Sequence, residues 1–144
     1  MPIQMHTLTL PDSMRFLRYL YSAVLAMIVL LALAAETLLP TRSAEPPGIV
    51  HLLYALAAGD ALLAVVYRRK FSGPAVEALR ADPQDASALM KWMMGQMIPL
   101  PLALGMGVMG LASRVLGAPV LRSGPIYIAA VFLLLVLWPA EPDR

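Results

Sequence analysis

The feature that most constrains the fold is the apolar segment 48–70, GIVHLLYALAAGDALLAVVYRRK, which carries Asp60 near its middle and ends in three positive charges. About 20 predominantly apolar residues, rising roughly 1.5 Å each as a helix, cross the roughly 30 Å hydrocarbon core of a bilayer. The segment therefore predicts a membrane-spanning helix. Because an ionisable side chain at that depth is costly, Asp60 is a candidate functional residue.

The composition supports a membrane protein and excludes several classes of function. Of the 144 residues, 60% are hydrophobic and 14% are charged, whereas a soluble domain carries about 25% charged residues. The positive residues collect at helix ends, so we expect no nucleic-acid binding. The chain has no cysteine, which excludes disulfides, thiolate metal sites and cysteine nucleophiles. It also lacks a phosphate-binding loop and the spacing of a catalytic triad, and we expect no enzymatic activity.

The apolar runs predict an all-α, integral membrane four-helix bundle of two antiparallel hairpins, forming a single transmembrane domain over residues 1–144. Residues 1–15 are expected to form an irregular arm or a short surface helix, with helix 1 from about Ser13 to Leu39. The proline-rich turn PTRSAEPPG closes the first hairpin. A short surface helix is predicted at Pro74–Arg80. The spans are expected at about 16–39, 49–67, 90–113 and 126–139, with a cytoplasmic loop at 68–89.

The third helix is predicted to begin outside the membrane and to bend within it. Asp82 is the expected N-cap, because it precedes a proline suited to the first helical position. Pro99 and Pro101 each remove an amide donor and crowd the carbonyl four residues earlier. We therefore expect a kink there, with the carbonyls of Gly95 and Met97 freed.

The distribution of basic residues predicts the orientation. Eight of the eleven Lys and Arg side chains fall in the N-terminal arm, the middle loop and the C-terminal tail, and three fall on the opposite side. The positive-inside rule then places both termini and the middle loop in the cytoplasm. We interpret the chain as a multi-pass protein of the bacterial inner membrane.

Asp60 and Gln96 form the predicted intramembrane polar site. Asp60 shares a helix face with Ala57 and Ala64, which suggests that it points toward another helix. Gln96 and the carbonyls freed by the prolines are expected at a similar depth. Two interpretations stay open: a protonated Asp60 hydrogen-bonded across a helix interface, or an oxygen-rich pocket for a cation or a proton path.

Small residues predict where helices pack. On helix 3, a stripe along one face of the helical wheel contains Gln96, Ala103, Gly107, Gly110 and Arg114. Helix 2 has two such faces, one with Ala57, Asp60 and Ala64 and the other with His51, Ala55 and Gly59. A helix with two close-packing faces is expected to have neighbours on both sides.

A second polar cluster is predicted near the outer surface. Glu36, at the end of helix 1, is expected to pair with Arg114, at the end of helix 3. His51 lies about 180° from Asp60 on the helical wheel, so the two cannot serve one site. As the only histidine in a predicted span, His51 could ligate a haem or a chlorophyll-type pigment as a single ligand.

We nevertheless expect no cofactor beyond bound lipid. A haem protein of four helices would be expected to supply two axial histidines, and His6 lies in the arm. Met90, Met94 and Met97 form a line on helix 3, and thioethers select Cu(I). Methionine is also a common filler of apolar gaps, so we expect no haem, pigment or copper.

The run ALRADPQDASALMKWMMGQM, followed by a Gly- and Ala-rich helix that ends in SRVLG, resembles small uncharacterised bacterial four-span membrane proteins. Their last helices are distantly similar to the proteolipid hairpin of rotary ATPases. That family needs a buried carboxylate among its small residues, and the stretch from Ala103 to Gly110 has none. The resemblance therefore implies a membrane hairpin and no rotor activity.

Taken together, these patterns predict a non-catalytic accessory or assembly subunit of a larger inner-membrane complex, either homo- or hetero-oligomeric. The expected partners are the lipid bilayer and other membrane subunits or further copies of the chain. One alternative is a small oligomeric ion or proton transporter or channel that uses Asp60. A second alternative is haem or pigment binding through His51.

Overall fold

The computed structural model describes residues 9–39 and 48–140. Within these ranges the chain forms five α-helices and no strand, which confirms the predicted all-α class. Three helical stretches are long and apolar enough to cross a membrane, namely Leu10–Leu38, Ile49–Ala81 and Ala86–Val115, and Val120–Val136 is a shorter apolar helix. The helices are α1 (Leu10–Leu38), α2 (Ile49–Ala81), α3 (Ala86–Met97), α4 (Pro99–Val115) and α5 (Val120–Val136).

Helix α1 begins earlier than the sequence predicts. Thr9 is its N-cap, and the Thr9 hydroxyl donates a hydrogen bond to the Asp12 carboxylate over 2.6 Å. Pro11 lies in the first turn, where a missing amide donor costs nothing. Helix α1 thus begins three residues before the expected Ser13 and takes up the last residues of the predicted arm. Residues 1–8 of that arm, most of the predicted turn and the tail from residue 141 lie outside the described residues.

Helix α2 is longer than predicted, because it continues through Pro74 to Ala81 as one element of 33 residues. The predicted separate helix at Pro74–Arg80 is thus the end of α2. Beyond the proline, Ala75 and Leu79 are buried at 3% exposure each. Their packing compensates for the hydrogen bond that a proline removes inside a helix.

Asp85, rather than Asp82, caps helix α3. Its Oδ1 accepts hydrogen bonds from the amides of Ser87 and Ala88 at 2.8 and 3.1 Å. The backbone bond from Ala88, followed by the bonds from Ser87, holds the pKa of Asp85 below its usual value. Asp82 instead ends α2 and accepts a bond from the Gln84 amide in the turn. The prediction failed because either aspartate could begin the helix, and the longer α2 takes the first one.

The third helical stretch is divided at Ile98 into α3 and α4, and Ile98 itself has helical φ and ψ of −56° and −41°. The predicted kink at Pro99 and Pro101 stays a prediction. Pro99 occupies the first position of α4, and Pro101 follows in the same turn. The carbonyl that receives a side-chain hydrogen bond is that of Gln96, not those of Gly95 or Met97.

Helix α5 begins at Val120, before the predicted position 126, and contains Pro125. The carbonyl that loses its intrahelical partner to this proline belongs to Leu121. Leu121 is 89% exposed, so water or a headgroup can satisfy that carbonyl. The predicted start at position 126 is too late, because a proline after Gly124 is typical of a turn and here lies inside the helix.

Two hydrophobic clusters hold the helices together. The larger one joins α1, α2, α4 and α5 and includes Tyr21, Ile28, Ala64 and Met106. The smaller one, here called the end cluster, joins the first turns of α1, the last turns of α2 and the start of α3. Its buried members are Met14, Leu17, Ala75, Leu79, Ala88, Leu89 and Trp92.

Candidate functional site

Asp60 faces helix α4 at the position of Gly105. A Cβ atom built on Gly105 would lie 3.2 Å from the Asp60 Oδ2 atom, so the carboxylate lies against the α4 backbone. Ala57 and Ala64, on the same face of α2, are buried at 4% and 0% exposure. Among residues 9–39 and 48–140, the Asp60 carboxylate accepts no hydrogen bond. The predicted direction of Asp60 toward a neighbouring helix therefore agrees with its contacts.

The structure does not bring Gln96 to Asp60. Gln96 follows Gly95, whose Cβ would lie 3.0 Å from the Ser72 amide nitrogen of α2. Gly105 comes nine residues after Gln96, which corresponds to about 13 Å of helix rise. The prediction that Gln96 and Asp60 lie at a similar depth is therefore corrected. It was counted from expected helix ends, and the structure places those ends elsewhere. The Gln96 side chain is 3% exposed, and its Oε1 has no hydrogen-bond partner within the described ranges.

A polar contact that the sequence analysis missed joins four elements around Tyr21, and we call it the tyrosine junction. The Tyr21 hydroxyl donates to the Gln96 carbonyl over 2.7 Å. Arg68 Nη2 donates to the Trp138 carbonyl over 3.3 Å. The rings of Tyr21 and Trp138 meet edge to face, with centroids 5.9 Å apart. The carbonyls that Pro99 and Pro101 were expected to free lie on either side of this acceptor, and no residue type in the sequence marks the Gln96 carbonyl itself.

Arg114 forms the second polar contact, here called the arginine junction. Its Nε lies 3.1 Å from the Glu36 Oε1, so the structure brings the predicted pair together. Nη1 and Nη2 donate to the carbonyls of Ala118 and Leu39 at 2.8 and 3.2 Å. Because Arg114 is 3% exposed, its charge needs these partners. The guanidinium thus ties the end of α1 to the turn between α4 and α5.

The same turn has the geometry of a Schellman motif. The Ala118 amide donates to the Ser113 carbonyl and the Gly117 amide to the Arg114 carbonyl, both over 2.9 Å. Gly117 has a φ of 96°, which favours glycine. The turn therefore presents the Ala118 carbonyl to the guanidinium that closes the helix.

The stripe residues Ala103, Gly107 and Gly110 of α4 are covered by neighbouring helices. Ala103 is fully buried. A Cβ on Gly107 would lie 3.2 Å from the Ile28 side chain of α1, and one on Gly110 would lie 2.8 Å from the Tyr127 ring of α5. These glycines permit close helix approach, as the predicted stripe requires.

The second small-residue face of α2 is open in a single chain. His51 and Ala55 are exposed, and a Cβ built on Gly59 would meet no atom within 4 Å. His51 therefore lies on the opposite side of α2 from the Asp60 contact. Among the described residues, no three His, Cys, Asp or Glu side chains are grouped to hold a metal ion.

No family model, curated protein or solved structure matches this chain. The resemblance to small four-span membrane proteins therefore stays a prediction. The candidate functional features are the open face of α2, the contact between Asp60 and Gly105, the tyrosine junction and the arginine junction.

Proposed function

We propose that the protein is a non-catalytic membrane subunit, which assembles with a transmembrane helix of another subunit through the open face of α2. The observation that supports this proposal is the contrast between Gly59, whose Cβ would meet nothing, and Gly107 and Gly110, whose Cβ atoms would press on neighbouring side chains. In lipid, small residues concentrate where helix backbones approach each other.

The position of the open face fits an external partner. Ala57 and Ala64 direct the opposite side of α2 toward the bundle, and Ala55 lies about 160–180° from them on the helical wheel. The open face continues into Leu62 and Val66, which are 65% and 49% exposed. A partner helix would thus meet a groove over the small residues and larger side chains beside it.

The polar junctions support a scaffold that is held in one arrangement. The tyrosine junction ties α1, α2 and α3 to the residues after α5, and the arginine junction ties α1 to α4 and its following turn. Groups that use their hydrogen-bonding capacity to fasten helices are suited to a rigid subunit. The partner is another membrane protein or a second copy of this chain.

The proposed orientation places both termini on the cytoplasmic side of a bacterial inner membrane. It rests on the distribution of basic residues, with Arg68, Arg69 and Lys70 at one level of α2. Tyr21 and Trp138 lie at the same level through the tyrosine junction. An aromatic and basic belt is typical of a membrane interface, and α2 and α3 extend past it.

The test is the native mass of the complex in mild detergent. Ala55→Leu should reduce the assembly to the monomer, because a large side chain fills the open groove. Ala26→Leu is the matched control, since Ala26 is also exposed on an apolar helix, and it should leave the mass unchanged. A wild-type protein that is monomeric and carries no membrane partner would refute the proposal.

A second candidate function is ion or proton transport through Asp60. The observation that favours it is the half-buried Asp60 carboxylate, which lies against Gly105 and accepts no hydrogen bond among the described residues. Such a group is available to a proton or a cation. Gln96 is not part of this candidate site, because it lies about 13 Å further along the helix.

The transport proposal predicts ion or proton flux in liposomes that Asp60→Asn abolishes. Asparagine keeps the size of the side chain and removes the charge, so the mass of the complex should not change. Equal flux in the wild type and the variant would reject a transport role for Asp60.

A further inference from the structure

Four methionines of α3 line one open cavity near the start of α1. The cavity has a volume of about 830 Å³, and its wall contains Met90, Met93, Met94 and Met97. Thr9 of α1 and Gln84 of the preceding turn contribute neutral polar groups to its edge. Within residues 9–39 and 48–140, no charged side chain lines the cavity.

Met90, Met94 and Met97 do not fill gaps in the core, whereas the half-buried Met93 packs against the end cluster. Met90, Met94 and Met97 are 64%, 55% and 39% exposed, whereas Met14 and Met106, which do occupy the core, are 4% and 1% exposed. The expectation that copper is absent rested on methionine as a packing residue. Core packing does not explain methionine side chains that line an open cavity.

The spacing of the four residues places their side chains together. Met93 and Met94 lie three and four residues after Met90, and Met97 lies four and three residues after them. Side chains at these spacings share one face of the helix, with Cβ atoms about 5–6 Å apart. The methionine side chain has three rotatable bonds, which lets several sulfur atoms turn toward one point.

We propose that this methionine cavity binds a monovalent soft metal ion, Cu(I). Thioether sulfur is a soft ligand that selects Cu(I) over Zn²⁺ or Mg²⁺. The chain has no cysteine, so no thiolate competes for the ion. A thioether carries no proton to release, so binding should not depend on pH, unlike binding by histidine, cysteine or carboxylate.

The cavity is accessible from outside the apolar part of the helices. Gly95 packs against Ser72, and Ser72 lies just beyond the basic residues Arg68–Lys70. Met90, Met93 and Met94 therefore lie on the far side of that basic belt. A copper-delivering protein or small ligand could reach them without entering the hydrocarbon.

The first experiment titrates the purified full chain with Cu(I) under reducing conditions, against a coloured Cu(I) chelator. The variant replaces all four methionines with leucine, which has similar volume and no sulfur. Binding should fall at least tenfold in the variant, while Met27→Leu, which changes an exposed methionine of α1, should bind as the wild type does. Equal affinity in the fourfold variant and the wild type would overturn the proposal.

A second measurement does not depend on the folding of the variant. X-ray absorption of the Cu(I)-loaded wild type should show a shell of sulfur atoms alone, and the affinity should be the same at pH 6 and pH 7.5. A shell with nitrogen or oxygen ligands, or affinity that falls in acid, would assign the metal to other residues. Failure of the wild type to compete with the chelator would also reject the site.

Discussion

Helices α2 and α4 carry similar patterns of small residues, and the chain uses them differently. On α4, Gly107 and Gly110 lie against Ile28 and Tyr127, so the small residues of that helix serve the internal packing. On α2, a Cβ built on Gly59 would meet no atom of the described residues within 4 Å. The comparison separates a pattern that packs inside the bundle from one that the described residues leave uncovered, which is the face proposed for assembly.

The largest expected effect comes from Arg114, which closes the covered side of α4. Arg114→Met should remove the ion pair with Glu36 and leave the Leu39 and Ala118 carbonyls without their guanidinium partner. Breaking a buried pair costs about 3–5 kcal/mol, and the partial exposure of Glu36 reduces the expected loss to about 2–3 kcal/mol. Thermal or denaturant unfolding in detergent measures it.

Combining Arg114→Met with Glu36→Gln tests the same pair further. If the unpaired carboxylate causes most of the loss, the double variant should be more stable than Arg114→Met alone. Additive losses would instead show that Arg114 acts mainly through the two carbonyls.

The second prediction compares the two helices by the same substitution. Gly110→Leu should lower the free energy of unfolding by about 1–3 kcal/mol, because its Cβ would already press on the Tyr127 ring. Gly59→Leu should change it by less than about 0.5 kcal/mol and should instead reduce the mass of the complex. Equal destabilisation by both variants would remove the distinction between the two faces.

The third prediction concerns the tyrosine junction. Tyr21→Phe removes the hydrogen bond to the Gln96 carbonyl and keeps the ring against Trp138. The expected loss is about 0.5–1.5 kcal/mol in the free energy of unfolding, with no change in the mass of the complex. A change in mass with unchanged stability would place this junction at the assembly surface.

The smallest effect is a pH dependence at the N-cap of α3, away from both compared faces. Because the folded state lowers the pKa of Asp85, its cap stabilises the fold above the ordinary aspartate pKa near 3.9 and loses this contribution as pH falls through the lower folded value. Asp85→Asn keeps a capping side chain without the titration. The difference in stability between the two proteins should therefore be constant near neutral pH and change only in acid, and a difference that stays constant through the acid range would contradict the assignment.

The sequence predicted the parts of the fold that depend on periodicity and on residue size. The apolar segments and the stripe that contains Ala103, Gly107 and Gly110 could be read because a helix repeats its faces regularly. The contact between Glu36 and Arg114 could be predicted because both charges lie at helix ends. A buried charge there is stable only when a charge of opposite sign lies beside it.

The register between helices could not be predicted. The length of α2 depends on Ala75 and Leu79, whose packing overrides Pro74, and this packing sets which residue of α3 or α4 stands opposite Asp60. A shift of a few residues in each helix moved the expected partner from Gln96 to Gly105. The tyrosine junction was missed for a related reason, because its acceptors are backbone carbonyls that no residue type reveals.

We propose that the outer face of α2 meets another membrane helix. Photo-crosslinking in native membranes tests this contact. A benzophenone amino acid at position 55 samples that face, and the same residue at position 26 samples an exposed site on α1. We predict a heavier protein adduct from position 55 and none from position 26. Adducts with lipid alone from both positions would contradict the account.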